Sequence, residues 1–140
     1  HTLAGIERLI PILAADPSAR PPMLATYEET TLREVALLDR IIHDCYQCFD
    51  RFPLFAAFAM FYFAGADFSE RRRRAGEHRV GDAFLNADDP AYCRAVSAAY
   101  EELLTDLDKG SFASLVASSI DPWNNVGLCD RSKRNMYDYA

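Results

Sequence analysis

Thirteen consecutive residues, Leu54-Phe-Ala-Ala-Phe-Ala-Met-Phe-Tyr-Phe-Ala-Gly-Ala66, carry no charge and only one polar group, the Tyr62 hydroxyl. A helix that is apolar all round must be covered on nearly every side, by its own domain or by a partner surface. Asp67 ends the run well short of the ~20 apolar residues that span a bilayer, so it predicts a central helix and no membrane segment. Pro53 sets its start, because proline suits the first helical turn and disfavours helix in the residue before it. Ser69-Glu-Arg-Arg-Arg-Arg-Ala-Gly76 sets its end, with cations at the negative pole of the helix and a glycine cap.

The rest of the chain reads as helices arranged around that one. Leu3–Ala15 is amphipathic, with Thr2 as its N-cap and Pro11 breaking or kinking it. Asp16–Pro22 reads as a proline-rich connection. From Met23 to Asp50 the residues Leu24, Tyr27, Thr31, Val35, Leu38, Ile42, Cys45 and Phe49 recur at steps of three and four. They predict a buried seam, with Glu28, Arg33, Asp39, Arg40 and Asp44 on the solvated side. Asp88-Asp-Pro90 is a helix start, followed by Tyr92, Val96, Ala99, Leu103 and Leu107 inward and Gly110 as the stop. Ser111–Ile120 forms a last short helix, and no segment alternates with period two for long enough to be a strand. The expectation is an all-α, single-domain bundle of about five helices around one hydrophobic helix, ending in an irregular tail.

Fifteen basic against 21 acidic side chains give a net charge of −6, which disfavours nucleic acid and anionic membrane as partners. A helical DNA-binding regulator is further disfavoured by the lack of a helix-turn-helix with a basic second helix. Cys45, Cys48, Cys93 and Cys129 are too few and too unevenly spaced for a disulfide framework. Cys45-Tyr-Gln-Cys48 falls near the end of a helical pattern, away from the helix N-terminus where a redox pair gains its reactivity, and no zinc-type partner pair follows. These cysteines read as reduced packing residues. The chain opens without methionine or targeting character, which suggests a piece excised from a larger cytoplasmic protein.

The last twenty residues, Asp121-Pro-Trp-Asn-Asn-Val-Gly-Leu-Cys-Asp-Arg-Ser-Lys-Arg-Asn-Met-Tyr-Asp-Tyr-Ala140, are the least generic. Together with Asn86-Ala-Asp-Asp-Pro90, Leu54–Ala64 and Tyr27–Tyr46, this tail resembles the C-terminal helical part of flavin (FAD)-dependent halogenases of the tetracycline or phenolic type and related FAD-dependent oxidoreductases. Met136–Tyr139 depart from that pattern, which has an aromatic residue and a proline there. The resemblance implies a parent enzyme in which flavin hydroperoxide oxidises halide and hypohalous acid passes to a lysine that halogenates an activated ring. The FAD-binding domain and that lysine would precede this chain. Lys109 and Lys133 match nothing in the pattern, and no Gly-x-Gly-x-x-Gly follows a strand here. This chain would bind no FAD alone, would be catalytically silent, and would cover the flavin domain while forming one wall of the aromatic substrate site. Phe58, Tyr62 and Trp123, with Tyr27 behind them, are the residues expected to line that wall, since flat rings suit an aromatic substrate. The competing reading is a non-enzymatic helical interaction domain, open to self-association, whose aromatic helix docks a protein.

Overall fold

The computed structural model describes residues 2–76, 82–105, 108–130 and 132. Its helices are α1 (Thr2–Ala14), α2 (Arg20–Gln47), α3 (Phe52–Phe58), α4 (Met60–Arg74), α5 (Pro90–Leu103) and α6 (Lys109–Ile120), and the described residues include no strand. Ala59 between α3 and α4 is itself right-handed helical (φ −59°, ψ −17°), so the two run on as one bent helix at the centre of an all-α fold. That joined helix, Phe52–Arg74, is long and apolar enough by length and composition to cross a membrane. Here it packs against α2 and α6. One side supplies the core with Leu54, Ala57, Phe58, Phe61 and Ala64, while Phe52, Tyr62 and Phe63 on the other stand in solvent.

Helix starts follow local chemistry. Asp89 caps α5 by accepting from the Ala91 and Tyr92 amides at 2.8 and 3.4 Å, with Pro90 behind it. Tyr92, Val96, Ala99 and Leu103 then form the buried face as their spacing predicts; Leu107 lies outside the described residues. Asp108 caps α6 in the same way, so Gly110 sits in the first turn of α6 and is not the stop of α5. Pro21 and Pro22 belong to the first turn of α2, where the missing amide hydrogen costs nothing. The connection before α2 is therefore shorter than the proline count suggests. Pro11 does not break α1, which continues to Ala14. Gly76 takes a left-handed conformation (φ 72°) just past α4, as a C-terminal glycine does.

The largest departure is in α2. Its buried positions are Thr30, Glu34, Leu37, Ile41 and Asp44, a face rotated about 100° from the apolar seam, one residue step on a helix of 3.6 residues per turn. The predicted seam lies at the edge of that face: Leu38 and Cys45 pack against the core and Tyr27 and Thr31 are half-buried, while Leu24, Val35, Ile42 and Phe49 are exposed. Burial of Glu34 is possible because other elements supply partners, and burial of Asp44 because neighbours on α2 itself do. Glu34 Oε1 accepts from the Arg8 guanidinium at 2.6 Å and from the Phe84 amide at 2.6 Å. Asp44, expected in solvent, is completely buried; its carboxylate is gripped by Arg40 Nε at 2.9 and 3.1 Å and meets His43 Nδ1 at 3.0 Å. The Arg40 guanidinium in turn lies 4.6 Å from the Tyr100 ring centroid, tying α2 to α5. Helix α1 is likewise turned: Arg8 and Ile12 are its buried residues, and Leu3, Ile6, Ile10 and Leu13 point outward.

Between α4 and α5 the chain makes a tight 3-10 turn at Phe84–Asn86 in which Leu85 (φ 59°) and Asn86 (φ 55°) are both left-handed. A leucine in that region costs ~1–2 kcal/mol, offset by complete burial of its side chain. Asn86 is fixed from α4: its amide donates to Ser69 Oγ at 3.2 Å, while that hydroxyl donates to the Gly65 carbonyl at 2.7 Å.

Candidate functional site

The exposed side of the central helix faces the C-terminal half of α2 across an apolar groove of about 300 Å³, lined by Ile41, Ile42, Cys45, Tyr46, Phe49, Phe55, Ala59, Tyr62 and Phe63. Each wall follows from helical spacing. On α2, Ile42, Cys45 and Tyr46 share one face at steps of three and four, and Phe49 in the turn just past the helix extends it; Phe55, Ala59, Tyr62 and Phe63 do so along the joined α3 and α4. The rings brace one another. Phe49 meets Phe55 edge-on at 5.6 Å, Tyr46 stacks on Phe49 at 6.0 Å, and Tyr62 and Phe63 meet edge-on at 5.6 Å. Ala59 opens the floor between them.

Chemically the groove offers apolar contact and no activated nucleophile. Its one nucleophile, Cys45, is held as the neutral thiol: burial, with Cys48 and Asp44 adding to it, pushes its pKa up to about 11, and the thiolate is the reactive form. The phenol groups of Tyr46 and Tyr62 give polar edges that could orient a flat ligand.

Of the four residues expected to form a substrate wall, Tyr62 alone lines this groove. Phe58 is completely buried. It belongs to a chain of core rings, Phe58–Phe61–Tyr92–Trp123, with centroids 5.4, 6.2 and 5.0 Å apart. Trp123 closes that chain and donates from Nε1 to Asp89 Oδ2 at 3.0 Å. The distinctive segments around Asn86–Pro90 and Trp123 therefore meet in space. Tyr27 is half-buried against α1, its hydroxyl 3.5 Å from the point where a side chain on Gly5 would begin. Tyr46, Phe49, Phe55 and Phe63 were not expected at the site, although Phe49 stood in the predicted seam and Phe55 and Phe63 in the apolar run; the signal was there, assigned to the core.

Other polar groups have structural duties. Arg71, Arg72, Arg73 and Arg74 are held by Asp67 (2.8 Å), Asp82 (2.6 Å), Glu70 and Glu7 (2.8 and 3.0 Å) and Glu70 (2.8 Å) respectively, so the basic run is spent on ion pairs. Hydrogen bonds from Arg73 and then Arg74 draw the Glu70 pKa down to about 2. The His43–Asp44 contact resembles a catalytic pair only superficially. Arg40 grips the same carboxylate and His43 Nε2 meets Gln47 at 3.2 Å, so no hydroxyl or thiol is placed for activation. No group of three His, Cys, Asp or Glu residues among the described residues could hold a metal ion. All four cysteines are free. Cys48 is fully buried, donating to the Asp44 and Cys45 carbonyls, whereas Cys129 is exposed and so is not the packing residue expected.

The described part of the tail is a clasp. After the turn Asp121–Trp123, Asn124 exchanges two hydrogen bonds with the Leu128 backbone at 2.7 and 2.9 Å, and Gly127 (φ 70°) and Cys129 (φ 68°) turn the chain. His78, Arg79, Arg131, Lys133, Arg134 and Met136–Tyr139 lie outside the described residues. Comparison with known protein families, with characterised proteins and with solved structures finds no match to this chain.

Proposed function

We propose that this chain is the substrate-side helical domain of a flavin-dependent halogenase or a closely related FAD-dependent oxidoreductase, silent alone and completed by a flavin-binding domain of the same polypeptide. The observation that carries the reading is the uncovered aromatic side of the central helix. A run that is apolar all round needs cover, and the domain covers only one side of it, leaving Phe52, Tyr62 and Phe63 at 70, 37 and 51% exposure. Burying that side against a flavin domain would enclose the groove between two domains, where ligand sites concentrate. The resemblance of the tail and of Asn86–Pro90 supplies the identity of the missing domain. On this reading FAD belongs to that domain, the aromatic substrate enters the groove, and Tyr62 with Phe63, Phe55 and Phe49 sets which ring is accepted.

The test is made on the parent polypeptide. It should purify with FAD and, given reduced flavin, oxygen and halide, add halogen mass to a phenolic or polyketide ring. Tyr62→Ala and Phe63→Ala should shift KM or regioselectivity with the flavin still bound. A parent that lacks flavin would overturn the proposal. Flavin binding without halogenation would assign the related oxidoreductase. The exposed face also supports a second reading, a helical protein-interaction domain, which predicts capture of a folded protein partner without flavin.

A further inference from the structure

Helix α2 carries a second surface that runs from its N-terminal half into the groove and shares Ile42, Cys45, Tyr46 and Phe49 with it. The stripe follows Leu24, Glu28, Thr31, Val35, Leu38, Ile42 and Cys45 to Phe49 just past the helix, alternating steps of four and three; Thr31, Leu38 and Cys45 in it are half-buried, and Leu32, Asp39 and Tyr46 flank it. That is the spacing by which one helix receives another. Leu24, Leu32, Val35, Ile42, Tyr46 and Phe49 are 38–70% exposed, and with the groove they form one continuous exposed apolar row.

The charges on the stripe say what covers it. Elsewhere on α2 the exposed acid Glu29 is paired with Arg33. Glu28 and Asp39 stand on the stripe, exposed, with no ion pair to any described residue. Both arginines in the body of α2, Arg33 and Arg40, are engaged away from the stripe. A second copy of this chain would bring carboxylates and no cation to the interface, and an anionic lipid surface would repel it. The two acids lie eleven residues apart, about 16 Å along the axis.

We infer that the outer stripe of α2 is a docking site for an amphipathic protein helix bearing an apolar three-four seam and two basic side chains about three turns apart, which pair with Glu28 and Asp39. Neither flavin nor halide is needed for this contact, but it covers Ile42, Cys45, Tyr46 and Phe49 of the groove, so a docked helix and an aromatic substrate would exclude one another there.

The probe is a synthetic 28-residue helix with a Leu/Ile seam and lysines eleven residues apart, compared with the same peptide carrying glutamates there. By fluorescence anisotropy at low salt, the lysine peptide should bind at least tenfold more tightly, and that margin should shrink in 0.5 M NaCl. Glu28→Lys with Asp39→Lys should invert the preference. Both positions are exposed; if circular dichroism shows that pair unfolded, Glu28→Gln with Asp39→Asn should abolish the difference instead. Equal affinity for the two peptides, a preference unmoved by these variants, or a salt-resistant dimer of this chain that blocks the peptide would overturn the inference.

Discussion

Gly65→Ala tests the tightest packing in the domain, and the two effects in play have opposite sign. Gly65 is in the middle of α4, where alanine improves intrinsic helix propensity by ~1 kcal/mol. Yet a Cβ there would stand 2.6 Å from Tyr92 Oη, 2.9 Å from Tyr92 Cζ and 3.1 Å from the Leu85 carbonyl oxygen. None of these can yield cheaply. Tyr92 is completely buried, wedged edge-on against Trp123 and Phe61, and donates to the Phe61 carbonyl; the Leu85 oxygen belongs to the left-handed turn. Overpacking costs ~1–3 kcal/mol, and loss of the buried tyrosine bond adds ~1 kcal/mol or more. The net expectation is a destabilisation of about 2 kcal/mol, a Tm drop of roughly 6–8 °C for a domain of this size. Urea unfolding followed by circular dichroism measures it. Adding Tyr92→Phe removes the nearest atom, so the second substitution should cost less in the Gly65→Ala background than in wild type. A Gly65→Ala protein as stable as wild type, or more so, would refute the close-approach argument.

Asp89→Ala removes both the α5 cap and the acceptor of Trp123 Nε1, and is expected to cost about 2–3 kcal/mol, read by urea unfolding with the single tryptophan as fluorophore. Glu34→Ala strands the Arg8 guanidinium and the Phe84 amide in the interior and should cost about 3–5 kcal/mol by the same assay. Stability should decline in alkali. Burial raises the pKa values of Cys45, Cys48, Cys93 and Tyr92 above the ordinary 9 and 10, so the unfolded chain releases these protons first. Their contribution is full below about pH 9 and falls as pH rises, Cys45's being lost by about pH 11. Urea midpoints at pH 8 and 10.5 should separate, and Cys45→Ala with Cys48→Ala should narrow the gap.

Helix α5 was legible because all its information is local: an Asx cap, proline at the first position and a clean apolar stripe. Helix α2 was not, because the rotation of its buried face depends in part on partners remote in sequence. Arg8 and the Phe84 amide converge on Glu34 from 26 and 50 residues away, while Asp44 is enclosed by Arg40 and His43 of α2 itself, a pairing that apolar spacing does not score. Hydrophobic periodicity treats a carboxylate as solvated, so it chose the stripe that the fold leaves at the edge of the buried face. The same bias hid the groove. Aromatic identity marked Phe58 and Trp123 as readily as Tyr62, and which ring faced the core was decided by the bend at Ala59 and the bond from Trp123 to Asp89.

The junction at Glu34 also bears on how the domain opens. One carboxylate oxygen serves α1 through Arg8 and, fifty residues further along the chain, the turn before α5 through Phe84. Helix α1 buries little apolar surface, with Arg8 and Ile12 as its fully buried residues, so by area alone it should fray independently. Detaching it, however, would break the buried Arg8–Glu34 ion pair, whose side chains are 4 and 1% exposed. Helix α1 is therefore expected to open together with the Phe84 turn, their amides exchanging with deuterium at a shared rate despite their distance in sequence.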